Sequence, residues 1–190
     1  MKIGLYGGAF NPVHNGHMAV AKTAVRYMAL DKIIFIPSGN APHKKESGIS
    51  RTDRLNMLKI AIDGNEKMQI SDYEILRSDV SYSADTAEYF KSIYQNDELF
   101  FLIGDDSYNA LDTWHEPQRI MRCAKLLVFP REGGEVLPPA IKIPMERVLL
   151  SSSNIRERIR MGKDCTNVLP KGVFDYIIKN NLYKGENAID

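Results

Sequence analysis

Apolar positions along this chain fall into two alternating patterns. Short, nearly continuous apolar runs occur at Lys2 to Tyr6, Lys32 to Ile36, Leu99 to Ile103 and Ala124 to Phe129. Between them, apolar residues recur at three- and four-residue steps. From about Gly16 to Leu30 the series Met18, Ala21, Ala24, Val25 and Met28 predicts a helix. Strand, helix and strand at the start of the chain make a unit the size of a βαβ crossover. The continuous apolar runs predict strands buried on both faces, as in a parallel sheet.

The pattern continues. Ser38 to Ser50 is a loop rich in Gly, Asn, Pro, Lys and His. Helix resumes near Thr52 or Asp53, with Leu55, Leu58 and Ile62 on one face. Met68 to Ser71 predicts a short strand, Asp85 to Tyr94 a helix, and Glu132 to Pro139 a loop. Arg147 to Leu150 is a further strand candidate, and Asn154 to Ile159 a helix behind polar caps at Ser151 to Ser153. Leu169-Pro170 opens the last helix, Val173 to Asn180. The alternation predicts an α/β fold: a Rossmann-like, doubly wound, mostly parallel sheet with helices on both faces. Residues 1–190 read as one domain, whose part from about residue 151 carries the serine motif and the terminal helices.

Composition narrows the class. Hydrophobic residues make up 44% and charged residues 26% of the 190, near globular averages. Lys and Arg total 25 against 24 Asp and Glu, for a net charge of +1. That balance argues against a general nucleic-acid or membrane surface. No apolar run approaches the ~20 residues that span a bilayer. MKIGLYGGAF lacks the long apolar stretch of a signal peptide. Cys123 and Cys165 stand far apart with no CxxC, which reads as two reduced thiols in a cytoplasmic protein rather than a disulfide.

In doubly wound sheets, ligands bind beyond the carboxyl ends of strands. The unusual residues of this chain cluster there. Gly7-Gly8-Ala9-Phe10-Asn11-Pro12-Val13-His14-Asn15-Gly16-His17 follows the first strand. Paired glycines let the backbone approach a ligand and take φ > 0, and their amides can face phosphate oxygens. His14 and His17 share a face at a helix start, where two imidazoles can stabilise charge on a polyphosphate. The same pair could be half of a metal site, although HExxH is absent and no third ligand is evident nearby. GxGxxG and GxxxxGK[ST] are absent too.

Asn40-Ala41-Pro42-His43-Lys44 follows the second strand, and Lys44 is either a point charge suited to polyphosphate or part of a solvated Lys44-Lys45 pair. Ile103-Gly104-Asp105-Asp106-Ser107 closes a strand; its Asp106 could bind ribose hydroxyls or metal-bound water, or cap the next helix. Ser81-Tyr82-Ser83-Ala84-Asp85-Thr86 offers hydroxyls for a ligand, or Ser83 and Asp85 as helix caps. Trp114 is the single tryptophan, either a core anchor or a stacking surface. Ser151-Ser152-Ser153-Asn154-Ile155-Arg156 combines serine hydroxyls, a helix N-terminus and a guanidinium, which are the parts of an anion site or, taken alone, an ordinary serine N-cap with a surface arginine.

Taken together and in this order, the run GGAFNPVHNGH resembles the signature of the HxGH nucleotidyltransferase superfamily, and SSSNIR resembles its ISSTxIR element. Within that superfamily the chain resembles the nicotinate-nucleotide adenylyltransferases from Lys2 to about Tyr183. The resemblance implies catalytic roles for His14, His17, Lys44 and Arg156. It implies ATP contacts at Gly7, Gly8, Ala9, Phe10, Asn11, Gly104, Asp106, Ser152, Ser153 and Ile155. It implies mononucleotide contacts at Asn40, Ser83 and Trp114, the last stacking on the pyridine ring. The sequence departs from the family at Ser83, where Thr is usual, at Asp105, where a small residue is usual, and at Asp112, where Pro is common.

The expected reaction joins ATP to nicotinate mononucleotide, with Mg²⁺ accompanying ATP and no resident protein metal site. Sister readings are an adenylyltransferase for nicotinamide mononucleotide or phosphopantetheine, and a nucleotide-sensing module without turnover. The expected partners are ATP and nicotinate mononucleotide, with no nucleic acid or membrane, in a cytoplasmic monomer or homodimer.

Overall fold

The computed structural model describes residues 1–40 and 49–184. Six strands form one sheet: β1 (Lys2–Gly8), β2 (Lys32–Pro37), β3 (Met68–Ile70), β4 (Glu98–Gly104), β5 (Lys125–Phe129) and β6 (Ile141–Lys142). Their order is β3-β2-β1-β4-β5-β6, and every neighbouring pair is parallel. The order reverses at β1, which lies between β2 and β4, so the carboxyl end of β1 faces the crevice where such sheets bind ligands.

Helices α1 (Asn15–Tyr27), α2 (Arg51–Ile62), α3 (Ser83–Ile93), α4 (Asp105–Asn109), α5 (Pro117–Cys123), α6 (Ser152–Arg160) and α7 (Val173–Lys179) complete the fold. The central strands β1, β2, β4 and β5 are buried on both faces, and two apolar clusters result. One contains Tyr6, Phe10, Phe35, Phe100 and Phe129 with Ala21, Leu58, Ile155 and Ile177. The other contains Ile3, Leu5, Ile34, Phe101 and Val128 with Ala87, Phe90 and Ile120. The two-sided apolar runs therefore have the burial that the sequence predicts. Cys123 and Cys165 are free thiols. No helix among the described residues is long and apolar enough to cross a membrane.

Two expectations are corrected. Arg147 to Leu150 is not a strand; Val148 makes a single backbone bond to the Pro130 carbonyl, and Leu149 stands 80% exposed. The edge position beside β5 belongs to Ile141–Lys142, in register with Leu127 and Val128. On α2 the inward face is Arg54, Met57 and Leu58, with Leu55 and Ile62 only half-buried. Arg54, which the apolar periodicity leaves out, is buried because the Ala9 and Ser38 carbonyls meet its charge.

Candidate active site

A cleft of about 1550 Å³ opens at the carboxyl ends of β1, β2 and β4. It exceeds the ~300–1,000 Å³ of ordinary small-molecule pockets. Its walls bring together Gly7, Gly8, Ala9, Phe10, Asn11, His14, His17, Asn40, Ser83, Gly104, Trp114, Ser152, Ser153 and Arg156. Asp106 and Ile155 do not line it. Ile155 is a core residue, 2% exposed, and Asp106 is paired with Arg131. Lys44 lies outside the described residues.

The histidine pair is built by the start of α1. His14 is its N-cap and His17 its third residue. The His14 N–H donates to His17 Nδ1 at 3.1 Å, so a neutral His17 carries its proton on Nε2. The two rings stack with centroids 3.7 Å apart. Burial, with the Arg131 charge adding to it, pushes the His14 imidazole down to about 4, so the ring is neutral at pH 7. Its Nδ1 is buried without a hydrogen-bond partner. Gly16 is required between them: a Cβ there would press on Val148 and on the His14 ring.

The second motif reaches across 140 residues to brace the first. Ser151 caps α6, accepting from the Asn154 N–H at 3.2 Å. Ser152 Oγ donates to the Pro12 carbonyl at 3.0 Å. Arg156 is buried; it donates to the Asn11 carbonyl at 3.0 Å and to Ser153 Oγ at 3.2 Å. From the other side, Tyr183 donates to Asn11 Oδ1 at 2.7 Å. The loop between β1 and α1 is thus gripped by α6 and by the segment after α7. In this structure Arg156 directs two of its donors at protein oxygens rather than only at a ligand.

Several sequence assignments change in detail. Gly7 and Gly8 end β1 itself, in register with Ile36 and Pro37, and the left-handed residue is Phe10, at φ 46°. Neither Ser83 nor Asp85 caps α3, whose N-cap is Tyr82 without a side-chain bond; Asp85 instead pairs with Arg119 at 2.8 Å. Asp106 does not cap α4; its Oδ2 pairs with Arg131 at 2.8 Å, while Oδ1 is buried and unpartnered. Asn40 faces the cleft, but its amide donates to the Ser78 carbonyl at 2.7 Å and its Oδ1 accepts from Arg51. Trp114 lines the cleft and packs against the second apolar cluster, so both of its candidate roles are compatible.

Other residues escaped the sequence reading. Arg54 donates to the Ala9 carbonyl at 2.9 Å and the Ser38 carbonyl at 2.7 Å, tying together the segments that leave β1 and β2. Glu74 is buried, accepts from Thr86 Oγ1 at 2.7 Å, and is raised by burial above the usual carboxyl range. His115 stacks on Tyr82, with centroids 4.1 Å apart. Arg131 follows β5 directly after Pro130, a strand-end position that the carboxyl-end rule could have flagged.

Comparison with known proteins identifies the family. The cytidylyltransferase-like family model covers residues 5–158. A probable nicotinate-nucleotide adenylyltransferase of Borreliella burgdorferi is 40% identical over 187 residues, spanning 96% of this chain and 97% of the relative. One from Clostridium tetani is 36% identical over 198 residues, spanning 96% and 99%. The chain belongs to the nicotinate-nucleotide adenylyltransferase family. The Plasmodium falciparum nicotinic acid mononucleotide adenylyltransferase, solved in complex with NaAD, shares the fold at a TM-score of 0.82 and 22% identity, over 96% of this chain and 97% of that one. In this family member the two signature motifs meet at one loop, through Ser152 and Arg156.

Proposed function

We propose that this chain transfers the adenylyl group of ATP to nicotinate mononucleotide. The 5′-phosphate oxygen of the mononucleotide attacks the α-phosphorus in line. The bond to the β-phosphate oxygen breaks, and nicotinate adenine dinucleotide and pyrophosphate leave. The observation that carries the reading is the stacked His14–His17 pair in a cleft that the N-terminus of α6 also lines.

Catalysis here is positioning and charge stabilisation. His17 presents a ring N–H whose tautomer is set by the His14 amide. His14, held neutral, donates without carrying a fixed charge that would trap the triphosphate. The N-terminus of α6 and its serines favour phosphate anions. Trp114 and the first turn of α3 form the other half of the cleft and would take the pyridine nucleotide.

Mg²⁺ supplies charge neutralisation on the phosphates when bound. Among the described residues, no group of three or more His, Cys, Asp or Glu could hold a metal ion. A cation brought in with ATP would be held mainly by phosphate oxygens, and Asp106, whose Oδ1 is buried and unpartnered, would be the acidic group to help hold it.

The test is pyrophosphate release from Mg-ATP with nicotinate mononucleotide, nicotinamide mononucleotide and phosphopantetheine in parallel. Preference for the first supports the reading. Preference for another keeps the chemistry and changes the acceptor. Silence with all three, from folded protein that still binds ATP, overturns turnover in favour of nucleotide sensing.

A further inference from the structure

Between β4 and β5 the rim of the cleft carries a network that joins Asp105 and Asp106 to the segment after β5, which no sequence motif marks. Asp105, the first residue of α4, is 0% exposed. Its Oδ1 accepts the N–H groups of Arg131 at 2.8 Å and Glu132 at 2.9 Å. Its Oδ2 accepts those of Gly133 at 2.7 Å and Gly134 at 3.0 Å. Successive amides converge on one carboxylate, so the segment leaving β5 is wrapped around a fixed anion. Desolvation pushes this carboxyl up, but the backbone amides outweigh it and hold it at about 2. Gly134 is docked on α4 as well, where a Cβ would strike the Asn109 amide.

Arg131 heads this segment. Its Nη1 pairs with Asp106 Oδ2 at 2.8 Å, and its side chain is 42% exposed. The pair packs on the last residue of β4: a Cβ at Gly104 would collide with both Asp106 Oδ1 and Arg131 Cδ. Arg131 lines the cleft with His14, His17 and Ser151 to Ser153.

We propose that Asp105 is a positioning residue for adenylyl transfer, fixing the 131–134 segment so that Arg131 exchanges its Asp106 partner for the triphosphate of ATP. The inference rests on the adenylyl-transfer reading. The Arg131–Asp106 pair is partly solvated, and pairs of that kind are weak enough to give up. A guanidinium binds carboxylate and phosphate oxygens by the same charge-assisted bonds, and a triphosphate offers it more oxygens and more negative charge than one carboxylate does. The exchange frees Asp106 Oδ2. An unanchored segment would leave Arg131 to search many positions, and ATP binding would bear that entropy.

The experiment uses the full chain as wild type, Asp105→Asn, Arg131→Gln and the double variant. Pyrophosphate release is measured with ATP and acceptor varied separately. The wild type identifies the acceptor first, so a wrong acceptor corrects the proposed function without touching this inference. If no acceptor turns over, the Kd for ATP by titration replaces KM. Arg131→Gln should raise KM for ATP about ten- to a hundredfold, the range for losing a hydrogen bond to a charged group. Asp105→Asn should raise it about tenfold, with KM for the acceptor within about twofold. The double variant should be no worse than Arg131→Gln, because both act on one contact. A lower Tm in Asp105→Asn with KM for ATP unchanged would make the role structural only and overturn the proposal. If Asp105→Asn does not fold, Arg131→Gln decides, and an unchanged KM for ATP in that variant also overturns it.

Discussion

The imidazole of His14 lies on that of His17, with centroids 3.7 Å apart and planes 25° apart, and the His14 amide donates to His17 Nδ1. One hydrogen bond thereby does two jobs. It satisfies a donor at the helix start that has no partner within the helix, and it fixes which nitrogen of His17 carries the proton. Spacing alone accounts for the shared face; the stack needs the N-cap geometry of His14, whose backbone is extended at φ −139°.

Replacing His17 with alanine removes a preorganised donor from the phosphate side of the cleft. The expected loss in kcat is about 10²–10³, the size seen when one such donor is deleted from a charge-stabilising site. Single-turnover adenylyl transfer at saturating ATP measures it. A loss confined to KM would move His17 from the transition state to ground-state binding.

The depressed His14 makes stability depend on pH. Its value is about 4 in the folded protein against 6.5 for the free group. The folded state refuses a proton that the unfolded chain accepts, so the contribution is full above 6.5 and is lost as pH falls toward 4. The loss amounts to up to about 3 kcal/mol. Urea unfolding of wild type and His14→Asn at pH 7.5 and 4.5 should show the larger drop in wild type. Equal drops would place the His14 ring in water.

The sheet was legible because two-sided apolar runs leave few alternatives to a buried parallel strand. Both signatures were legible because residues such as Gly16 and Ser152 carry requirements that few others meet. What stayed hidden was long-range pairing. Arg54 reads as a surface charge until the Ala9 and Ser38 carbonyls appear beside it. Asp105 reads as loop charge until the amides of 131–134 close around it. Arg147 to Leu150 has the composition of a strand, but Ile141–Lys142 already pairs with β5. Periodicity describes which face is apolar; it does not say which buried carbonyls need a donor.

Arg156→Lys tests the brace between the motifs. A guanidinium reaches the Asn11 carbonyl and Ser153 Oγ at once, and one ammonium cannot reproduce that fork in a buried position. The variant should be destabilised by about 2–3 kcal/mol, the worth of a hydrogen bond from a charged group. KM for ATP should rise with it, since the carbonyl released belongs to the loop that carries His14. Calorimetry and steady-state kinetics on one preparation check both. A rise in KM at unchanged stability would show that Arg156 contacts ligand without bracing the loop.

Gly7 and Gly104 separate space kept for ligand from space kept for protein. A Cβ at Gly7 would meet nothing within 4 Å, and its backbone is ordinary strand. Alanine there should leave the fold intact or stabilise it by up to about 1 kcal/mol, through the lower entropy of the unfolded chain. The added methyl points into room that an ATP molecule would use, so KM for ATP should rise while Tm holds. At Gly104 the same methyl collides with Asp106 and Arg131, so stability and KM should fail together. Thermal melts beside ATP titrations distinguish the two glycines. If Gly7→Ala binds ATP as wild type does, the open space beside the end of β1 is not where the nucleotide lies.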